Sequence, residues 1–421
     1  MRQTQLFTKT RKEAPKDEVS KNAQLLIRAG FINKEMAGVY ALLPLGLRAY
    51  NKIENIIREE MNAIGGQELS MTALQDPKPW KATSRWEGET SEVWFKTELN
   101  NGTTLGLGFT HEEPLTELMK NHIRSFRDLP FSVYQFQTKF RNEVRAKSGI
   151  MRTREFVMKD LYSFCRDQAE HEVFYEKAKQ AYVNIFNRLG IGEKTYVTYA
   201  SGGSFSKYSH EFQTISAAGE DLIYICDKCH VAVNKEILSD LENACPVCKS
   251  KELHEEKAIE TGNIFTLGER FSEPIGLSFV DEKGEKKNVF MGSYGIGPAR
   301  SMGTIVENLS DDKGIVWPVA VSPFKVHLIE IGGDNIVVRQ KTEEVYHSLI
   351  DAGIEVMWDD RSTVRPGEKF ADSDLIGLPL RLVISEKLIA GSEFEMKMRK
   401  TGEIKMVSEA KLVDWIKNWQ E

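Results

Sequence analysis

The sequence predicts an α+β domain built on an antiparallel sheet, interrupted by a small cysteine-bearing insertion and followed by a separate α/β domain. Three observations carry this. Long strand-like runs alternate with helical segments through the first three hundred residues. Four of the five cysteines fall in two matched pairs that break that rhythm. Beyond Trp317-Pro318 and Ser322-Pro323 the pattern becomes β-α-β-α-β, the mark of an independent α/β unit.

In chain order, residues 1 to 16 read as a loose polar leader, and Val19 to Ala29 shows helical spacing. Gly46 to Ile64 is the clearest helix, with Leu47, Tyr50, Ile53, Ile57, Met61 and Ile64 at three- and four-residue steps. Gly65-Gly66 ends it as a glycine cap does. Gln67 to Leu74, Thr104 to Phe109, Val133 to Arg141, Phe156 to Cys165 and Glu211 to Ser216 read as strands, with helices at Glu112 to Ser125 and Glu170 to Arg188. Strands resume at Asn263 to Leu267 and Asn288 to Met291, before a helix from Pro298 to Glu307. The last hundred residues give strands at Val326 to Ile331, Ile354 to Trp358, Leu380 to Ser385 and Phe394 to Arg399. Helices fall at Val337 to Ala352, Phe370 to Ile376 and from Ala410. The expected divisions are 1-223, 224-255, 256-318 and 319-421, with the insertion at 224-255.

The composition is that of an ordinary globular protein: 421 residues, 41% hydrophobic and 28% charged. No apolar run approaches the roughly 20 residues that span a bilayer. Met1 to Lys16 contains no apolar signal-peptide core, so a cytoplasmic location is expected. A net charge of −6 excludes a general nucleic-acid coat but allows a local basic patch.

Cys226, Cys229, Cys245 and Cys248 follow Cys-x2-Cys-x15-Cys-x2-Cys. Two intervening residues let both thiolates of a pair face one ion, and four thiolates close a tetrahedron with no open position. The expected site is a structural zinc knuckle. His230 and His254 are alternative ligands, read more simply as surface residues.

Three stretches suggest carboxylate activation by ATP. They are Thr110-His111-Glu112-Glu113; Phe140-Arg141-Asn142-Glu143-Val144-Arg145 with Met151-Arg152-Thr153-Arg154-Glu155-Phe156; and Met291-Gly292-Ser293-Tyr294-Gly295-Ile296-Gly297-Pro298-Ala299-Arg300. Attack of a carboxylate on the α-phosphorus needs no protein nucleophile, only positioning and neutralised charge. One arginine can hold carboxylate and α-phosphate together, while another, with Mg²⁺, holds the leaving phosphates. A carboxylate such as Glu143 can accept from the adenine amino group, and an aromatic such as Phe156 can stack on the ring. The glycine-rich segment before Pro298 is as compatible with packing as with anion binding.

In order and separation these stretches resemble motifs 2 and 3 of the class II aminoacyl-tRNA synthetases, specifically the bacterial-type prolyl-tRNA synthetases. Ala37 to Arg48 and Ile56 to Met61 resemble motif 1. Lys159-Asp160-Leu161-Tyr162-Ser163-Phe164, Ser209-His210-Glu211-Phe212 and Gly262-Asn263-Ile264-Phe265-x-Leu267-Gly268 are further strings of that family. The resemblance implies Arg141 and Arg300 as catalytic residues. It implies a proline pocket of Thr110, Glu112, Arg141, Phe164 and Ser293, and a nucleotide set of Arg141, Glu143, Arg152, Phe156, Gln213 and Arg300. ATP, Mg²⁺, proline, tRNA(Pro) and a homodimeric partner follow from it, with structural Zn²⁺ from the cysteines. Thr72, Phe109, Cys165, Asn263 and Ser293 depart from the family pattern. The interval between motifs 2 and 3 is short, so no editing domain is expected in cis. A pocket alone separates alanine from proline by roughly 1–3 kcal/mol. A catalytically silent relative would usually have lost one motif arginine; both are present.

Pro323 to Glu421 resembles the anticodon-binding domain shared by several of these enzymes. Trp358-Asp359-Asp360-Arg361 and Gly367-Glu368-Lys369-Phe370-Ala371-Asp372 resemble strings that face the anticodon there. Arg361, Lys369 and Phe370 are the expected contacts, since unpaired bases are read by stacking and edge contacts.

Overall fold

The computed structural model describes residues 1–87, 93–144, 146, 148–203 and 206–420. Arg145, expected beside the other arginines of its stretch, lies outside the described residues. The chain divides into two compact units, one of Met36–Val39 with Ile53–Thr304, the other of Met1–Glu35, Tyr40–Lys52 and Ile305–Glu421.

The first unit is organised by a nine-stranded sheet. Its strands are β1 (Gly66–Glu68), β2 (Phe131–Phe140), β3 (Glu155–Cys165), β4 (Thr195–Gly202), β5 (Ser206–Ile215), β6 (Asp221–Cys226), β7 (Val231–Asn234), β8 (His254–Gly268) and β9 (Phe290–Ile296). The order is β5-β4-β7-β6-β8-β9-β3-β2-β1. All pairings are antiparallel except β7–β4 and β1–β2. β5 also pairs with β8, so five strands close into a small ring around Ile223, Ile225, Ala232 and Ala258. The cysteine segment therefore adds two strands, β6 and β7, to the main sheet; its sequence reads as an interruption only because the strands are short. The glycine-rich stretch of motif 3 is likewise the central strand β9, not a turn. Gly292 is required there because a Cβ would meet His171, the Tyr294 hydroxyl and Ser163 at 2.6 to 2.8 Å.

The helix Gln168–Arg188 is capped by the Asp167 carboxylate, which accepts from the Glu170 amide at 2.9 Å. Its Tyr182 ring packs on Phe212 at 4.9 Å. The helix Pro44–Ala63 buries Ile53, Ile57 and Met61 as its spacing predicts, but Leu47 lies on the outer face, 47% exposed. Another apolar cluster gathers Leu115, Met119, Val133, Tyr162, Phe164, Leu277 and Met291.

The other unit contains a five-stranded mixed sheet of order β11-β10-β12-β13-β14. The strands are β10 (Val326–Ile331), β11 (Val356–Asp359), β12 (Leu380–Ser385), β13 (Glu393–Met398) and β14 (Ile404–Ser408). β10 pairs in parallel with β11 and β12, and helices Ile336–Asp351 and Pro366–Ile376 make the crossovers. Gly377 ends the latter helix at φ +79, a left-handed position glycine adopts readily. The core holds Leu328, Val356, Trp358, Leu382, Phe394 and Ile416.

The leader is not loose. The Trp358 amide donates to the Met1 carbonyl at 2.8 Å, and Arg2 lies over the Trp358 ring at 4.5 Å. Thr4 donates through backbone and hydroxyl to Asp360 at 2.9 and 2.7 Å, and the Thr10 hydroxyl donates to Asp372 at 2.7 Å. Polar composition concealed this, because the segment docks by hydrogen bonds rather than by an apolar stripe.

Candidate active site

Antiparallel β2 and β3 carry Arg141 and Phe156 to neighbouring positions, and β8 and the helix after β9 bring Glu260 and Arg300 to the same place. One cleft of about 270 Å³ is lined by Arg141, Glu143, Arg152, Asp221, Glu260 and Arg300. An adjoining recess adds Phe156, Asn263, Gly295 and Gly297. The two arginines, 159 positions apart by their numbers, thus share one cavity.

Their states differ. Arg300 is braced: Nε donates to the Met151 carbonyl at 3.0 Å and Nη1 to the Glu260 carbonyl at 2.9 Å. The Arg141 guanidinium lies between Phe109 and Phe156, 5.0 and 5.4 Å from the ring centres. Its Nε is shut off from solvent and has no hydrogen-bond partner among the described residues. Burial and then the like charge of Arg300 hold Arg141 below the usual guanidinium range. An arginine in that condition is built to receive an anion. Phe109, one of the departures from the family pattern, is one face of this sandwich and joins it to the cluster of Trp80, Trp86 and Trp94.

Across the mouth, Arg152 pairs with Glu143 at 3.0 Å and Glu220 at 2.7 Å. Behind it the Glu211 carboxyl is pushed up to about 8, by burial and then by the charge of Glu260; burial is also the main cause that raises Asp221. This acidic set lacks enough cationic partners, which fits a divalent cation arriving with a polyphosphate.

At the other side of the site, Thr110 Oγ1 donates to Glu112 at 2.6 Å. Beneath this turn lies a buried polar network. The His111 Nε2–H donates to the Thr72 carbonyl at 3.0 Å, leaving Nδ1 to accept from Lys139 Nζ at 2.5 Å. Lys139 also reaches Asp160 at 2.8 Å; Gln135 donates to the same carboxylate at 2.9 Å, and the Tyr162 hydroxyl does so at 3.0 Å. Burial and the Lys139 charge lower His111 to about 4, so its imidazole is neutral. Burial alone would raise Asp160, but the Lys139 charge, with hydrogen bonds from Lys139 and Gln135, holds it below the ordinary carboxylate range. Glu113 faces inward to Arg85 at 2.8 Å and Thr83 at 2.9 Å.

Several expected residues are buried or already partnered in this structure. Phe164 is fully buried, stacked on Phe131 at 5.1 Å within the apolar cluster; it shares a face of β3 with Phe156 but lies farther along the strand, beyond the cleft. Gln213 is also buried; its amide donates to Glu211 and Asp221 at 2.8 Å, so it supports the acidic set from behind. Ser293 sits in β9 opposite Tyr162 and Phe265, 8% exposed. In the anticodon-type domain, Lys369 is 3% exposed and donates to the Glu330 and Asp359 carbonyls. Phe370 lies under Arg381 at 4.4 Å. Arg361 is ion-paired to Asp359 at 2.6 Å and Asp372 at 2.9 Å. Arg361 and Lys369 are thus engaged within the domain, and Phe370 is half-buried.

Lys139, Gln135, Asp221 and Glu260, which line or underlie the cleft, were not singled out from the sequence, and Asp160 and Tyr162 stood there only as members of a family string. A signal existed: Gln135, Gln137 and Lys139 put polar groups on one face of an otherwise apolar strand. The four cysteine sulfurs lie within 4.8 Å of one another, with Cys226 and Cys248 at 3.6 Å. No helix among the described residues is long and apolar enough to cross a membrane.

Comparison with known proteins identifies both domains. Residues 95–309 match the family model of the tRNA synthetase class II core domain (G, H, P, S and T), and residues 319–419 match that of an anticodon binding domain. A proline--tRNA ligase of Bartonella bacilliformis is 35% identical over 430 positions, covering 96% of both chains. That of Rickettsia bellii is 37% identical, covering 94% of both. A longer relative from Geotalea daltonii is 31% identical over 566 positions, covering 99% of both. Among solved structures, prolyl-tRNA synthetase from Cryptosporidium parvum with halofuginone and AMPPNP superposes with a TM-score of 0.78 at 19% identity, covering 94% of this chain and 76% of that one.

Proposed function

The chain belongs to the proline--tRNA ligase family of class II synthetases, and on that premise we propose how its own residues divide the reaction. Proline binds with its imino group at Thr110 and Glu112 and its carboxylate at Arg141. One carboxylate oxygen attacks the α-phosphorus of ATP, the bond to the β-phosphate oxygen breaks, and pyrophosphate leaves on the Arg300 side. The prolyl-adenylate then passes its acyl group to the terminal ribose hydroxyl of tRNA(Pro), releasing AMP.

The single observation that carries this reading is Arg141, its Nε unpartnered, sharing one cleft with Arg300. Arg300 is paired with the Glu260 carboxylate at 3.3 Å, whereas Arg141 has no ion pair among the described residues and feels the like charge of Arg300, so an anion that reaches both relieves that repulsion in the transition state. Phe156 offers the adenine a stacking face and Glu143 an acceptor; Arg152 has to leave Glu143 or Glu220 to reach the phosphates. Glu260, Glu211 and Asp221 would hold Mg²⁺, which supplies charge neutralisation for the outer phosphates. The Lys139 network fixes the backbone on which Thr110 and Glu112 stand. Proline-dependent ATP–pyrophosphate exchange tests the assignment; exchange supported equally by another amino acid, or none at all, refutes it.

We extend the reading to the remaining features. The four cysteines hold structural zinc, their spacing fitting Zn–S bonds of about 2.3 Å. Cys226→Ser should lower bound zinc in a colorimetric release assay; full retention ends this assignment. We infer that editing in cis is absent; in support, 566 aligned positions against a chain of 421 leave at least 145 positions of the longer relative without a counterpart. Alanine-dependent exchange without deacylation of alanyl-tRNA supports this. The working form is a cytoplasmic homodimer, which sedimentation can check.

A further inference from the structure

The tight pairing of Arg361, Lys369 and Phe370 leaves open what an RNA loop meets on this face of the anticodon-type domain, and we propose that the leader itself, Phe7 with Lys9, Arg11 and Lys12, forms a binding wall for the single-stranded anticodon loop. The inference rests on the tRNA-ligase reading and adds a site to it.

The leader is pinned at both ends. Thr4 is held by Asp360 and Thr10 by Asp372, while the Arg11 amide donates to the Arg28 carbonyl at 2.8 Å. Leu6 is buried, 6% exposed, which anchors the middle. Between these anchors Phe7 stands out, 75% exposed, on a segment whose backbone is fixed. An aromatic ring presented on a rigid tether is unfavourable for an isolated chain, because its apolar surface stays in water.

Its neighbours identify the occupant. Residues 2 to 16 carry five cationic side chains and one acidic one in a chain of net charge −6. Arg2 is engaged by Glu343 and Trp358. Lys9, Arg11 and Lys12 are exposed and have no ion-pair partner among the described residues; Lys9 Nζ donates only to the Leu6 carbonyl, at 3.3 Å. A stacking face flanked by unpaired cations recognises a single-stranded nucleic acid, the ring taking a base and the cations the phosphates. The carboxylates of Asp360 and Asp372 that would repel such a strand are the ones the leader covers with Thr4 and Thr10. The leader thus converts an acidic face into a basic one bearing an aromatic.

The test uses the full chain with Phe7→Ala and with the triple substitution Lys9→Ala, Arg11→Ala, Lys12→Ala. The probe is the anticodon stem-loop of tRNA(Pro), with whole tRNA(Pro) in aminoacylation. Phe7→Ala should weaken stem-loop binding about tenfold, the loss typical of one stacked base. The triple variant should flatten the dependence of log affinity on log salt by about two. KM for tRNA should rise in both, with proline-dependent exchange in the absence of tRNA unchanged. Wild-type affinity and salt slope in both variants would overturn the proposal, as would a Phe7→Ala variant that changes oligomeric state but not RNA affinity. Absence of exchange in the wild type would instead refute the ligase reading, while stem-loop binding would still report on the leader.

Discussion

Arg141 of the synthetase core and Arg361 of the anticodon-type domain have similar sequence surroundings, each with acidic and aromatic residues nearby, yet the fold treats them oppositely. Arg361 is closed off by Asp359 and Asp372, with Asp359 fully buried. Burial lowers its guanidinium, but hydrogen bonds to Asp359 more than compensate, raising it well above its ordinary range. Arg141 has no ion pair among the described residues; two rings flank it, and burial with the charge of Arg300 outweighs the more distant carboxylates of Glu112, Glu143 and Glu260. A compensated buried charge stabilises the fold that surrounds it. An uncompensated one costs stability and persists where a ligand offsets it.

Four perturbations sharpen or break the contrast. The largest effect belongs to Arg141→Met. It should lower proline-dependent exchange by about 10³-fold, since oxyanion-type donors alone contribute about 10²–10³ and this one serves two groups. Thermal stability should stay level or rise, because an unpaired cation has been removed; a fall of several degrees would break the comparison. Arg361→Ala should do the reverse, costing about 3–5 kcal/mol in denaturant unfolding by stranding Asp359, while exchange per folded molecule is retained. Lys139→Gln comes next. Loss of a charged hydrogen-bond donor beneath Thr110 and Glu112 should raise KM for proline about tenfold, with KM for ATP unchanged; an equal rise in both would show a global fault.

The smallest effect concerns pH. His111 has a folded value of about 4 against 6.5 unperturbed, so the unfolded chain binds its proton more tightly. Its contribution is complete above pH 6.5 and is lost as pH falls from 6.5 toward 4. By about pH 5.5 the loss should be about 1 kcal/mol, read as the stability difference from His111→Asn. A variant with the same acid slope as the wild type would remove His111 from the account.

Much of the fold was legible along the chain. β10, β12 and the helix Gln168–Arg188 follow from apolar runs and periodicity that burial on one face enforces. Arg141, Glu143, Arg152 and Arg300 were legible as residue types whose chemistry suits a polyphosphate, and the structure gathers all four in one cleft. β4, β6 and β7 were missed. What stabilises them is closure of a ring whose members are far apart in sequence, which no local pattern shows. The burial of Phe164 away from the cleft was not legible, because sharing a face with Phe156 does not say how far along the strand the cleft extends, nor was that of Gln213, because only the sheet brings Glu211 and Asp221 to its amide.

The order of residues by itself determined the family, the two-part architecture and the four charged side chains, Arg141, Glu143, Arg152 and Arg300, that the fold gathers in one cleft. Only the tertiary structure decided which charges are neutralised and which are left open: Lys369 and Arg361 are compensated inside their own domain, Arg141 waits between two rings, and the leader turns from a polar tail into a surface. The reason is that side-chain chemistry is local, whereas compensation of a charge depends on neighbours that only folding brings within a few ångströms.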